Sequence, residues 1–188
     1  MLDADEYLHL AIHATQHQQH HAALEYLNKS LAISPDNAKA IFLLAAEHAE
    51  LGLFDRAIKG MERALDLDPH LDFARYQLGM LYMQTNDIQA GKLVWNYLGE
   101  HATDNAIKLV AQGLSTIDDD YSRGFSLVEQ AAKSDITNPF LRSSIENIRD
   151  NLAQSRSLST PQDIKASDVS HSLFLTAYQN STFNKDDD

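Results

Sequence analysis

Residues 38–71 read AKAIFLLAAEHAELGLFDRAIKGMERALDLDPHL, and the architecture follows from this stretch. Two short helical patterns meet at Gly52, and Asp68-Pro69 closes the unit. Outward from it, the same marks return at a fixed step. The interval from Pro35 to Pro69 also links Leu10, Leu44 and Leu78, then Ala11, Ala45 and Gly79, and Ala23 with Ala57. Leu27, Met61 and Trp95 keep this register, as do Ser30, Ala64 and Leu98. A constant period in this range is the sequence mark of a solenoid. One helical hairpin cannot bury its apolar face alone, so stacked neighbours bury it for one another. The small residues stand where two helices approach closely, and the large ones at neighbouring turns fill the remaining volume.

The phased positions resemble the tetratricopeptide repeat (TPR) family. The first unit supplies Tyr7, Leu10, Ala11, Ala23, Leu27, Ser30 and Pro35; the second supplies Ile41, Leu44, Ala45, Gly52, Ala57, Met61, Ala64 and Pro69. The third supplies Leu78, Gly79, Tyr82, Gly91 and Trp95 and lacks the closing Pro. A weaker fourth copy begins at Ala106, where Gly113 follows Gly79 by the same step, and its second helix fits if one residue is deleted in the hairpin turn. The resemblance implies an all-α fold, a right-handed superhelical stack of helix-turn-helix hairpins with a C-terminal capping helix. Three full repeats are expected at about 4–37, 38–71 and 72–105, a degenerate fourth at 106–138 and the capping helix at 139–153. Pro139 suits a first helical turn, and Leu141, Ile145, Ile148 and Leu152 make one apolar stripe, as a solvating cap requires.

Composition narrows the function. The 188 residues carry a net charge of −12 and no cysteine. Binding to nucleic acid needs clustered Lys and Arg, and none are clustered here. Without cysteine there is neither a disulfide framework nor a thiol nucleophile. No Gly-rich phosphate loop or His-Glu-x-x-His motif occurs, so neither enzyme activity nor a cofactor is expected. The first residues carry acid where a secretion signal carries base, and no stretch approaches the ~20 apolar residues of a membrane span. The expectation is a cytoplasmic protein without membrane insertion, a monomer or a homodimer.

Three local features invite chemistry. His9, His13 and His17 lie i, i+4, i+8 on one helix face, and His20 and His21 follow. Two His at i, i+4 can chelate Zn²⁺ or Ni²⁺, but a straight row over eight residues spans roughly 12 Å and cannot converge on one ion. The expected role is a wettable outer edge on the terminal repeat. Asp118-Asp119-Asp120 lacks the interleaved ligands and Gly of a calcium loop, and is expected as a solvated loop that caps the helix at Tyr121. Residues 154–188 are polar, too poor in apolar surface to fold alone, with an apolar island at 172–178 whose Leu173, Phe174, Leu175 and Tyr178 form a candidate docking motif.

In this family the first helices of successive hairpins line a concave groove. By register the groove of this chain holds Leu8, Ile12, Lys39, Phe42, Phe73, Tyr76, Met80 and Met83. Some family members grip a C-terminal carboxylate with Lys, Asn and Arg; the matching positions here are Leu8, Ile12, Leu43, Phe73 and Gln77, so that clamp is absent. Aromatic and methionine side chains suit an apolar helix or an extended peptide instead. The leading expectation is a non-enzymatic scaffold or assembly factor that binds another protein through such a segment. A small cytoplasmic chaperone for a secreted or membrane-inserting client is the alternative, and a His-mediated metal- or pH-responsive regulator is the weaker one.

Overall fold

The computed structural model describes residues 2–158. Among the described residues every regular element is a helix: α1 (Ala4–Gln16), α2 (His20–Ile33), α3 (Ala38–Glu50), α4 (Phe54–Leu67), α5 (Asp72–Gln84), α6 (Ile88–His101), α7 (Asn105–Thr116), α8 (Tyr121–Ala132) and α9 (Pro139–Leu158). The fold is an all-α helical repeat. The tail motif of Leu173, Phe174, Leu175 and Tyr178 lies outside the described residues. The described residues fall into two compact units, one up to Leu81 and one from Tyr82 onward.

The period of the sequence is the period of the helices. α1, α3 and α5 begin at Ala4, Ala38 and Asp72, and α2, α4 and α6 begin at His20, Phe54 and Ile88. Caps set the starts. Asp3 forms a capping box with Glu6, each side chain accepting from the other's backbone N–H at 2.8 Å. Asn37 repeats the cap by accepting from Ala40 N at 3.2 Å. Each such cap contributes about 1 kcal/mol. The turn inside each of the first three hairpins keeps the same period: among the described residues, Gln18, Gly52 and Asn86, one repeat step apart, have positive φ (55°, 73° and 63°). A left-handed residue reverses the chain there, and Gly and Asn carry it at least cost.

In the first unit, Leu8, Ala11, Leu27 and Ala40 form a core packed by Ile12, Tyr26, Leu31, Leu43 and Leu44. Ser30, fully buried, donates from Oγ to Ala4 O at 2.8 Å and closes α2 against the start of α1. α3 and α4 meet closely at a pair the repeat register only half reveals. A Cβ on Gly60 would lie 2.7 Å from the Cβ of Ala45. Ala45 is in the periodic pattern, but Gly60 is not.

In the second unit, Trp95 and Leu98 are buried on α6. α7 crosses α8 at Gly113 and Gly124, where an added Cβ on either would lie within 2.9 Å of the other's carbonyl oxygen. Leu141, Ile145, Ile148 and Leu152 are buried along α9, and the Tyr121 hydroxyl donates to Leu152 O. Asn138 starts α9 by accepting from Phe140 N and Leu141 N. The helix continues to Leu158, past the expected end at residue 153.

The fourth hairpin corrects one expectation. Asp104 caps α7 by accepting from Ala106 N and Ile107 N, and Asp120 caps α8 by accepting from Arg123 N. Both helices begin one position short of a full repeat step after α5 and α6, at Asn105 and Tyr121, so the offset between the two starts is the one the earlier hairpins have. The missing residue is therefore in the α6–α7 connection, residues 102–104, and the hairpin turn, residues 117–120, is longer than its counterparts at 17–19, 51–53 and 85–87. Asp104 as a strong cap fixes that start.

Two substitutions test these local causes. Gly52→Ala should lose about 1 kcal/mol in urea unfolding and Gly52→Asn clearly less, because nothing lies within 4 Å of an added Cβ and only backbone strain is at stake. Equal losses would show that side-chain contact, not φ, decides the site. Gly60→Ala should also lose about 1–2 kcal/mol, since overpacking against Ala45 outweighs the ~1 kcal/mol gain in helix propensity. A net gain would mean that α3 and α4 separate freely.

Candidate protein-binding surface

α1, α3 and α5 carry the residues the register assigns to the groove, and the structure sorts them by accessibility. Tyr76 and Met83 are each 1% exposed and Met80 4%, so these three belong to the interior; Leu8, at 8%, is in the first core. Ile12, Phe42 and Phe73 are half-buried and Lys39 is exposed. Within residues 1–81, Phe42 on α3 meets Phe73 on α5 edge to face, with ring centroids 6.0 Å apart at 78°, and Phe73 stacks on Tyr76 at 6.3 Å. Edge-to-face contact suits the ring quadrupoles. Lys39, one helical turn before Phe42, lies on the same side of α3. This part of the surface is therefore an aromatic pair beside one cation, narrower than the stripe read from the sequence.

The histidines are disposed differently. His9, His13 and His17 are exposed; the rings of His13 and His17 stack with centroids 4.1 Å apart, and His17 Nδ1 lies 2.8 Å from His13 O. Among the described residues no group of three or more His, Cys, Asp or Glu side chains is placed to hold a metal ion. No described helix is long and apolar enough to cross a membrane. The acidic loop does more than meet solvent: Asp118 pairs with Lys92 at 2.6 Å, both largely shielded, while Asp120 caps α8.

Residues 14–69 match the family model for the tetratricopeptide repeat. That segment is similar to tetratricopeptide repeats, and the helices on either side of it continue its period. Two solved structures share the fold over nearly the whole chain. One is titled "MamA 41-end from Desulfovibrio magneticus RS-1", at 16% identity over 98% of this chain and 97% of that one, with a TM-score of 0.59. The other is titled "MamA RS-1 ArsTM double mutant", at 15% identity over 95% and 96%, also with a TM-score of 0.59. No curated protein matches the chain.

Between the first two hairpins lies a polar cluster that periodicity does not single out. Glu47 on α3 is 1% exposed. Thr15 Oγ1 on α1 donates to its Oε1 at 2.5 Å, and His20 Nδ1 at the start of α2 lies 2.8 Å from its Oε2. The available signal was a break in the repeat: position 47 is Glu where the next repeat has Leu81. Its neighbours respond to the crowding. Partial burial raises the Glu50 carboxyl above its ordinary value, with His20 opposing and Glu47 reinforcing the shift, although much of the Glu50 surface meets solvent. Burial lowers His48, helped by Arg56 and opposed by Glu47.

Opposite shifts predict opposite responses to pH. Glu50 is raised, so the folded state holds its proton more tightly, and that contribution is lost as pH rises through the folded value, above 4.5. Glu50→Gln should therefore raise the melting temperature at pH 7, with the gain disappearing as the pH falls below the carboxylate range. A gain that stays constant down to pH 3 would assign the effect to packing instead of charge. His48 acts the other way: its lowered value means stability present above 6.5 and lost on acidification.

Proposed function

We propose that the chain is a non-catalytic protein-binding scaffold that takes an apolar helix or extended peptide on the face of Ile12, Lys39, Phe42 and Phe73. The observation that carries this reading is the Phe42–Phe73 pair, two large rings in mutual contact yet only half-buried. Half-buried aromatics held rigidly by neighbours lose little rotamer freedom on binding and give much apolar area. Each ring that a partner buries stabilises the complex by roughly 1.5–3 kcal/mol. Lys39 adds an exposed cation at the rim, where it steers an acidic flank more than it holds one.

The repeat architecture supports the same reading. Repeat stacks of this family present side chains from successive hairpins on one face, and the residues that give the stack its stability differ from those left half-exposed. Tyr76, Met80 and Met83 serve the interior, so anchors are sought elsewhere. The Lys-Asn-Arg clamp for a terminal carboxylate remains without counterparts at Leu8, Ile12, Leu43, Phe73 and Gln77, which points to side-chain anchors over a carboxylate.

The test is capture of partners on immobilised full-length chain, read by mass spectrometry, followed by affinity measurement with the leading captured protein. Phe42→Glu with Phe73→Glu, checked for helix content by circular dichroism, should weaken that affinity at least about tenfold, since more than about 1.4 kcal/mol is at stake. Undiminished affinity in a folded double variant would place the site on another face.

A further inference from the structure

The junction between the first and second hairpins is built differently from the register-equivalent positions one repeat later. Thr15, His20 and Glu47 meet there through Oγ1–Oε1 and Nδ1–Oε2 contacts of 2.5 and 2.8 Å. One repeat step on, the same three positions are Ala49, Phe54 and Leu81. Ala49 and Leu81 are 1% and 0% exposed, and Phe54 is half-buried. A polar set at the first junction thus answers to an apolar set at the next.

The physics of the two sets differs. An apolar seam gains by leaving water and needs no particular partner. A buried carboxyl group costs desolvation, and its hydrogen bonds only offset that cost while every partner is in place. Water restores the lost hydration once the seam parts, so the open state is less disfavoured than across an apolar seam. Around it, Glu50 on α3 brings like charge, His20 acts on Glu50 in the opposite sense, and Arg56 on α4 acts on His48.

The rest of the hairpin is arranged to move as one body. α1 and α2 pack far more extensively on each other than on α3, and Ser30 Oγ ties α2 to Ala4 O. At the other end, Arg63 on α4 holds the connection to α3 through Pro35 O at 3.0 Å and Asp36 Oδ1 at 3.1 Å. The Thr15–His20–Glu47 cluster lies at the end of α1, the beginning of α2 and the last turn of α3, away from that connection.

We propose that Thr15, His20 and Glu47 form a releasable latch, and that hairpin α1–α2 undocks from α3 as a unit, ahead of the remainder of residues 1–81, uncovering the face of α3 that carries Ala40 and Leu44. The latch uses none of the residues Lys39, Phe42 and Phe73, although Ile12 of that face moves with α1.

Hydrogen exchange of the full chain in sub-denaturing urea, read by mass spectrometry, tests it. In the wild type the amides of α1 and α2 should exchange together, at least tenfold faster than those of α3 and α4. Thr15→Ala, His20→Phe and Glu47→Leu combined, which install the residues of the next repeat, should slow exchange in α1–α2 at least tenfold and leave α3–α4 nearly unchanged. Ordinary fraying of a terminal repeat would leave α1–α2 as fast in the triple variant as in the wild type, and that result, or exchange of all four helices at one rate in the wild type, overturns the proposal. Should circular dichroism show the triple variant unfolded, His20→Ala takes its place. Stripping a partner from Glu47 should speed α1–α2 exchange at least tenfold with α3–α4 unmoved, and unchanged exchange in α1–α2 would equally overturn the latch.

Discussion

Everything in this chain depends on one constraint: a two-helix hairpin has more apolar surface than its own two helices can cover. Leu8, Ala11 and Leu27 on the first hairpin share a core with Ala40 and Leu44 of the second, so neither hairpin is complete without the other. The cost of bringing helices close enough for this appears at the smallest side chains. Ala45 against Gly60, and Gly113 against Gly124, are approaches that leave no room for another methyl group. Burial supplies the drive, and these small residues set the distance at which it acts.

The constraint also explains which parts of the fold were legible in the sequence. Helix starts recur because caps and turn residues recur, and Asp3, Asn37 and the left-handed positions Gln18, Gly52 and Asn86 all keep the repeat step. A turn needs one residue type at one position, so it leaves a readable mark. The fourth hairpin was harder because matching Gly113 to Gly79 fixes a phase from a packing residue. The caps at Asp104 and Asp120 show that the lost residue falls between hairpins. A packing glycine marks a point of close approach inside a helix, whereas a cap marks the helix start itself.

The candidate surface was less legible, for a reason visible in Tyr76, Met80 and Met83. Register says which side of a helix a residue occupies, but a first-helix position can serve either the interior or the exterior of a stack. These three are buried, while Phe42 and Phe73, assigned by the same rule, stay half-exposed. Only the packed structure separates an anchor from a core residue when both are large and apolar. Glu47 shows the reverse case. A charged residue in a helical pattern reads as an outer-face residue, and nothing local announces that Thr15 and His20, distant in sequence, enclose it.

Repeats differ from other folds in offering an internal control for such departures. Glu47 stands where Leu81 stands one unit later, so an apolar residue is compatible with that place in the backbone. The equivalent place in the next repeat holds Leu, so the hairpin backbone by itself does not call for a buried polar cluster there. Its cost in desolvation is set against something other than maximum stability, and adjustable docking of the first hairpin is the property that such a cluster provides. The stacked His13 and His17 on the outer face of α1 fit this arrangement, since a terminal hairpin must keep one side wet while its other side docks. Polar residues thus mark two sides of the first hairpin, the solvent side at His13 and His17 and the docked side at Thr15 and His20.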